Sequence, residues 1–119
     1  MSKKECVFCK IIQGEIKGDV IRASNSFIAL KDRSPVAPGH LLIIPKKHMG
    51  NLLDMSPSLG EEFVKFTKEL AEEIIDNKIG DGFNLISNNL PAAGQIVEHL
   101  HFHLIPRKEG DGIRFFVKK

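Results

Sequence analysis

The run His-Leu-His-Phe-His-Leu-Ile at residues 99–105 constrains the fold more than any other stretch of the chain. Histidine and apolar residues alternate strictly, and a period of two is typical of a β-strand with two different faces. A one-residue slip in pairing would bury every imidazole, so the register of this strand should be firmly specified. The predicted polar face holds His99, His101 and His103, and the predicted core face holds Leu100, Phe102 and Leu104.

Three imidazoles spaced roughly 6.6 Å apart along one strand face suit two kinds of chemistry. They can ligate a metal, or one ring can act as a nucleophile on an anionic substrate while the others support it. The backbone positions of His99 and His103 lie about 13 Å apart, so two of the histidines with a third ligand from another strand would fit a metal better than all three together. A metal-dependent hydrolase therefore stays open as an alternative to nucleophilic catalysis.

Length and composition predict one globular domain over residues 1–119, with 42% hydrophobic and 27% charged residues. The net charge of +2 is too small to indicate a nucleic-acid partner. The sequence has no apolar run of the ~20 residues that span a bilayer, and no signal-peptide pattern at its start. We therefore expect a cytoplasmic protein without a membrane partner. Two cysteines do not make a disulfide framework.

The periodicity along the chain predicts an α+β fold with an antiparallel sheet of about five strands, one long helix and short helices. Apolar residues recur at helical spacing between residues 56 and 78, where Ser58 and Glu61 predict a capping box. A shorter helix is expected over residues 4–13. The predicted strands cover residues 20–23, 27–30, 41–44, 83–88 and 99–105, and the apolar face of the long helix holds Leu59, Phe63, Phe66, Leu70, Ile74 and Ile75.

The two cysteines stand three residues apart, as Cys6-x-x-Cys9. A thioredoxin-like redox motif would follow a strand, and there is no room for one this close to the start of the sequence. Two thiolates at this spacing can supply half of a tetrahedral zinc site. They can also be two small buried side chains without a metal. The residues alone leave these last two interpretations open.

Three further segments accompany the histidine run. They are Cys-Val-Phe-Cys-Lys-Ile-Ile at residues 6–12, Ala-Pro-Gly-His-Leu-Leu-Ile-Ile-Pro-Lys-Lys-His at residues 37–48, and Ala-Gly-Gln at residues 93–95. Together they resemble the Hint-like nucleotide-binding branch of the histidine triad (HIT) superfamily, and the resemblance covers about residues 6–107. It implies a HIT-like fold whose sheet continues across a homodimer. It also implies a nucleotide substrate, with a purine base expected.

The resemblance implies that His101 attacks the α-phosphorus of a nucleotide and forms a covalent nucleotidyl-histidine, which water then hydrolyses. His99, His103 and a fourth histidine, His40, would complete the catalytic group. Expected substrates are nucleoside phosphoramidates or dinucleoside polyphosphates. A metal-dependent hydrolase that uses the triad as zinc ligands, or a nucleotide-binding protein with little activity, remains the alternative.

The same resemblance assigns the remaining site residues. Asp32 would accept the ribose hydroxyls, and Asn88 and Gln95 would contact the substrate phosphate. A structural zinc would be bound by Cys6, Cys9, His48 and His99. The apolar wall that holds the base would be formed by Phe8, Ile11 and Leu30.

The chain departs from the family pattern at Ile96, where a hydroxyl residue usually follows the glutamine, near the leaving-group atom. Isoleucine has no proton to donate, so the resemblance does not decide between amine and phosphate leaving groups. No tryptophan occurs, so the aromatic specificity element at the C-terminus of some members is absent. The apolar run at residues 115–117 is expected to need a covering surface, from its own chain or a second subunit.

Overall fold

The computed structural model describes residues 5–115, and its centre is a five-stranded antiparallel sheet. The strands are β1 (Val20–Ala23), β2 (Phe27–Lys31), β3 (Leu41–Pro45), β4 (Gly82–Ile86) and β5 (Phe102–Arg107). They lie in the order β1-β2-β3-β5-β4. The helices are α1 (Val7–Ile12) and α2 (Gly60–Asp76), and single 3₁₀ turns cover Leu52–Asp54, Pro57–Leu59 and Pro91–Ala93. The predicted α+β architecture is confirmed.

Each face of the sheet packs on its own helix, which explains why β2 and β3 are apolar on both faces. Five of the residues in β3 and four in β2 are buried. On one face the core comprises Phe27, Ala29, Leu41, Ile43 and Leu104 with Phe66, Leu70 and Ile74 of α2. On the other face it comprises Ile28, Leu30, Leu42 and Ile44 with Cys6, Phe8 and Cys9 at α1. Four of the predicted site residues, Cys6, Phe8, Cys9 and Leu30, lie on this second face.

The predicted division of the histidine run into two faces is confirmed, but the strand is shorter than expected. Hydrogen-bonded pairing of β5 begins at Phe102, opposite Ile43 of β3, rather than at His99. The reason lies at Pro45, which has no N–H for the ladder and whose carbonyl accepts a hydrogen bond from the His99 ring at 2.9 Å. The side chain of His99 therefore occupies the place where a continued strand would pair.

The long helix is confirmed, but its predicted capping box is not formed. The chain enters α2 through the 3₁₀ turn at Pro57–Leu59, where the Ser56 hydroxyl accepts the backbone N–H of Ser58 at 3.3 Å. A capping box is present earlier, between Asn51 and Asp54. Ile75, predicted for the core face, is 43% exposed.

Two further observations complete the fold. Within residues 5–115, no helix combines the length and the apolar character needed to cross a membrane. Of the apolar run at residues 115–117, only Phe115 is described, and its ring lies 5.5 Å from the guanidinium carbon of Arg107. The expected covering of Phe116 and Val117 lies outside the described residues.

Gly39, which precedes the buried His40, provides a test of how tightly this loop packs on the sheet. Its φ is +85°, and a Cβ there would lie 2.9 Å from Ile79 Cγ2 and 3.2 Å from Pro106 Cγ. Gly110 has a similar φ of +73° with open space around it. We expect both alanine substitutions to lose roughly 1 kcal/mol to backbone strain.

Gly39→Ala should lose about 1–3 kcal/mol more, because of overpacking. Urea unfolding of the two variants measures the difference. Equal losses would show that the Gly39 loop is not close-packed.

Candidate active site

A cleft of about 540 Å³ opens between α1 and the strands β2 and β3, and it brings together four residues that the sequence assigned to substrate binding. The side chains of Phe8, Ile11 and Leu30 supply apolar wall, and Asp32 is a carboxylate among them. Gly18 belongs to the same lining, and Ile11 packs so closely over it that an added Cβ would lie 2.7 Å from Ile11 Cγ2. A cleft with an apolar wall and few polar groups is typical of a small-molecule site.

His101 lies beside this cleft with its protonation fixed by the backbone. Its Nδ1–H donates to the carbonyl of His99 at 2.7 Å, which leaves the lone pair on Nε2. The Phe8 ring packs edge-on against the imidazole, with centroids 5.3 Å apart. Ser87 donates its hydroxyl proton to the His101 carbonyl at 2.9 Å and so fixes the backbone from the other side. The result is a half-buried, oriented imidazole whose neutral form has its lone pair on Nε2.

His40 and His103 form a second, directly bonded pair. The backbone N–H of Val36 donates to His40 Nδ1 at 3.2 Å, so the proton of the neutral His40 ring is on Nε2. That Nε2–H donates to His103 Nδ1 at 2.9 Å, which in turn leaves His103 with a proton on its own Nε2. Asp32 accepts the Ser34 N–H at 2.7 Å and places its other oxygen 3.5 Å from His40 Nε2. The hydrogen bonds thus run from Val36 through His40 to His103, and the Nε2–H of His103 is the donor at their end.

Burial keeps this pair neutral. It lowers the pKa of both His40 and His103 below the ordinary histidine value, and the nearby His101 lowers the pKa of His103 further. The Asp32 carboxylate acts in the opposite direction and raises both pKa values, but by less than burial lowers them. At neutral pH both rings are thus hydrogen-bonding groups rather than cations.

On the other side of His101, four side chains with metal-ligating atoms converge. The ligand atoms of Cys6, Cys9, His48 and His99 all lie within 4.8 Å of one another. His99 Nδ1 lies 3.2 Å from Cys6 Sγ and 3.6 Å from Cys9 Sγ, and His48 Nδ1 lies 3.2 Å from Cys9 Sγ. A tetrahedral zinc would place sulfur and nitrogen ligands about 3.6 Å apart.

The surroundings of His99 also suit a metal ligand. Its Nε2–H donates to the Pro45 carbonyl, so the lone pair on Nδ1 faces the two thiols, as ligand histidines commonly require. The residue is fully buried, and burial lowers its pKa to about 4, so the ring is neutral. The chemistry of the four donors, their spacing and this outer hydrogen bond all fit a closed zinc site.

The structure places the two predicted phosphate contacts differently. Gln95 uses its whole amide on backbone groups: its Oε1 accepts Leu90 N–H at 2.7 Å, and its Nε2 donates to the carbonyls of Gly50 at 2.6 Å and Val97 at 3.0 Å. It holds two loops together. The Asn88 side chain has no hydrogen-bond partner among residues 5–115 and remains available. Contact of either residue with a phosphate stays a prediction.

Sequence reasoning missed the groups that fix the tautomers of the histidine rings or hold the backbone of His101. They are the carbonyls of Pro45 and His99, the N–H of Val36 and the hydroxyl of Ser87. Three of these four are backbone groups, which carry no residue-specific signal in a sequence. Only Ser87, on the loop that leads toward the histidine run, could have been suspected from its position.

Replacing Asp32 with asparagine tests the electrostatics of the His40–His103 pair. Because the Asp32 carboxylate raises the pKa of both rings, Asp32→Asn should lower both pKa values further. NMR titration of the imidazole Cε1–H signals in the substrate-free protein measures this. Asp111→Asn, which removes a carboxylate paired with Arg107, is the matched control and should leave both values unchanged. A rise in either pKa in Asp32→Asn contradicts the assignment.

Comparison with known proteins agrees with the geometry. The family described as HIT domain matches residues 13–110. An uncharacterised HIT-like protein of Methanocaldococcus jannaschii is 44% identical over 90% of this chain and 82% of its own length. An adenylylsulfatase, HINT3, of Arabidopsis thaliana is 38% identical over 92% of this chain and 55% of its own. An adenosine 5′-monophosphoramidase, HNT1, of Candida albicans is 37% identical over 91% and 74%.

Among solved structures, a zinc-bound histidine triad family protein from Mycobacterium smegmatis superposes with a TM-score of 0.87 at 32% identity. The match covers 96% of this chain and 83% of that one. The sequence matches, the shared fold and the arranged histidines lead to one conclusion: the chain belongs to the HIT family and is a Hint-like member of the histidine triad superfamily.

Proposed function

We propose that this protein is a nucleotide hydrolase in which His101 is the nucleophile. The observation that carries the proposal is the hydrogen bond from His101 Nδ1–H to the His99 carbonyl, which leaves Nε2 with an available lone pair. Phe8 connects this ring to the cleft, because it lines the cleft and packs on His101. A neutral imidazole held in one tautomer is a competent nucleophile near neutral pH.

In the proposed first step, His101 Nε2 attacks the α-phosphorus of a nucleotide whose base lies in the cleft. The N–P bond forms as the bond to the leaving group breaks, and the leaving group departs with the electron pair. The base would pack between Phe8, Ile11 and Leu30, and Asp32 would accept the ribose hydroxyls. Such positioning supplies much of the catalysis in phosphoryl transfer, because the protein has little covalent chemistry to do.

In the second step, water attacks the same phosphorus, the N–P bond breaks, and the mononucleotide leaves with His101 restored. The charge on the phosphate oxygens needs hydrogen-bond donors in both steps. The Nε2–H of His103 is suited to this role, since its Nδ1 is occupied by His40. The Asn88 amide is a second candidate donor, because it has no partner within the described residues.

The geometry gives less support to a hydrolase that binds a catalytic metal with the triad. The His99 ring faces Cys6 and Cys9, and the His101 ring bonds a carbonyl, so the three imidazoles do not converge on one point. Asp32, His40 and His103 do approach within 4.8 Å of one another. A metal on His40 Nε2 would, however, have to displace the proton that the Val36 N–H fixes there. A turnover assay distinguishes the proposed hydrolase from the other alternative, a nucleotide-binding protein with little activity.

The resemblance to the family does not determine which leaving group the substrate carries. Ile96 is 88% exposed and has no proton to give to a departing amine, whereas a sulfate or a polyphosphate leaves as a stable anion. We therefore expect dinucleoside polyphosphates and adenylyl sulfate to be better substrates than phosphoramidates. One relative is named an adenylylsulfatase and another a phosphoramidase, so both classes belong in the assay. Purine and pyrimidine versions of each substrate test the expected purine preference.

His101→Ala should abolish turnover while leaving mononucleotide binding intact, because it removes the covalent step and not the cleft. We expect kcat to fall by about 10⁵-fold or more, as is typical for loss of a nucleophile. His103→Ala is the matched control from the same strand face. It should lose only about 10²–10³-fold, the usual effect of removing one phosphate donor. Calorimetry with AMP measures binding. Residual turnover in His101→Ala above that of His103→Ala would overturn the assignment.

We further propose that Cys6, Cys9, His48 and His99 bind a structural zinc. When bound, the metal would cross-link α1 to the segment that leads into β5. The zinc-bound relative from Mycobacterium smegmatis supports this proposal. We expect elemental analysis of protein purified without added metal to give about one zinc per chain.

Cys9→Ser should lower both the zinc content and the melting temperature, because the metal binds only the folded site. Ile44→Val removes one methylene from the same core and leaves all four ligands, so it should lose some stability and no zinc. Wild-type protein without zinc, together with equal melting temperatures for Cys9→Ser and Ile44→Val, would refute the site and favour two buried thiols.

We also propose a homodimer formed along β4. Within the described chain, β4 is an outer strand of the sheet, and β5 is its single hydrogen-bonded neighbour. A groove of about 440 Å³ runs beside it, between β4 and α2. Its lining is largely apolar and includes Val64, Ile75, Phe83 and Leu85, all of which are more than 40% exposed. A second copy of β4 would extend the sheet and cover these side chains.

Leu85→Asp should convert the dimer into a monomer, because it places a charge in the centre of the covered groove. Ile21→Asp is the matched control: Ile21 is 44% exposed and Leu85 42%, but Ile21 lies in β1 at the opposite edge of the sheet. Sedimentation should give twice the 13.3 kDa chain mass for the wild type and for Ile21→Asp. A wild-type monomer at all concentrations, or a dimer that Ile21→Asp dissociates, would contradict this interface.

A further inference from the structure

His99 belongs to two sites at once. Its imidazole lies between the thiols of Cys6 and Cys9, at 3.2 and 3.6 Å, and donates to the Pro45 carbonyl. Its own backbone carbonyl accepts the Nδ1–H of His101. Because the ring is fully buried and bonded at both nitrogens, the backbone of His99 cannot rotate without breaking these contacts. The orientation of the carbonyl is thus set by the surroundings of the imidazole.

Phe8 provides a second connection. It lies between Cys6 and Cys9 in the sequence, and its ring packs edge-on against both His99 and His101, at centroid distances of 5.6 and 5.3 Å. Helix α1, which carries it, is only six residues long. A helix of that length is not stable by itself, so its position depends on what anchors it. The two cysteines are its buried anchors, one as the N-cap residue and one inside the helix.

We propose that the cluster of Cys6, Cys9, His48 and His99 controls the nucleophile, by holding the His99 carbonyl and Phe8 where they fix the tautomer and orientation of His101. Within residues 5–115 this carbonyl is the one acceptor bonded to His101 Nδ1, so its loss would leave the proton there without a partner from that part of the chain. A ring with its proton on Nε2 has no lone pair there and cannot attack phosphorus. His99 and Phe8 are then positioning residues as well as members of the cluster and the cleft. The kinetic part of this inference rests on the proposed function.

The structure makes the coupling selective. His103 receives its hydrogen bond from His40, which is oriented by the Val36 N–H, so its tautomer is set by groups outside the cluster. Loss of the cluster should therefore disturb the tautomer of His101 and leave the tautomer of His103 unchanged, although the two rings pack edge-on with centroids 5.4 Å apart. General destabilisation of the protein would affect both rings alike. The two histidines, only two residues apart, thus serve as reporter and internal control.

The test uses His48→Gln and Cys9→Ser, which remove cluster ligands without changing any residue of the cleft. His48 touches the cluster through Cys9 Sγ and the His99 ring, and neither of these contacts involves His101. We expect kcat to fall by about 10- to 100-fold, the usual range for loss of an outer support, with KM for the nucleotide changed less than about twofold. Leu70→Ala, in the core on the opposite face of the sheet, is the control for lost stability.

The deciding measurement does not depend on turnover. Long-range ¹H–¹⁵N NMR of the imidazoles, at a pH where they are neutral, should show His101 protonated on Nδ1 in the wild type and in Leu70→Ala. In both cluster variants His101 should shift toward the Nε2–H form, and His103 should not. If Cys9→Ser does not fold, His48→Gln decides alone.

An unchanged His101 tautomer in folded variants that lack the metal overturns the inference. A kcat loss of equal size in Leu70→Ala overturns it as well. If the wild type turns over no nucleotide, the proposed function fails, and the ring-nitrogen signals still decide whether the cluster and His101 are coupled.

Discussion

The site depends on the position of β5 between β3 and β4. Pairing of Leu104 with Leu41 and Leu85 directs that side chain into the core under α2, and the neighbouring His103 necessarily faces the other side, opposite Leu42. The alternation continues back through His101 and His99, although regular pairing has ended there. A single register therefore directs Leu100, Phe102 and Leu104 into the core under α2 and the row of imidazoles to the other face. A slip by one residue would destroy both together.

The chemistry of those imidazoles is decided by backbone groups. Carbonyls at Pro45 and His99 accept one ring proton each, from His99 and His101, and the N–H of Val36 places the proton of His40. The consequence is that His99, His101 and His103 each have a defined tautomer and a different role. One offers a lone pair to thiols, one offers a lone pair toward the cleft, and one offers an N–H. Burial reinforces this by disfavouring the charged forms of His99 and His103.

Local patterns in the sequence were sufficient to predict the α+β class, the two faces of the histidine run and the long helix. The residues that meet in the cleft and in the cluster of Cys6, Cys9, His48 and His99 were identified by the resemblance to the HIT family and not by these patterns. The start of β5 was not predictable, because it depends on a ring-to-carbonyl bond between His99 and Pro45, 54 residues apart. The role of Gln95 was hidden for the same reason: its partner Gly50 lies 45 residues away. Bonds of this range leave no periodic trace in a sequence.

The central claim is that the reaction passes through a covalent bond to His101, and the stereochemistry at phosphorus tests it directly. Each in-line displacement inverts the configuration, so attack by His101 followed by attack by water gives net retention. A single diastereomer of an α-phosphorothioate dinucleoside polyphosphate, hydrolysed in ¹⁸O-water, yields a chiral product whose configuration NMR can assign. Retention is the predicted result. Inversion would mean that water attacks the nucleotide directly, and would contradict the account.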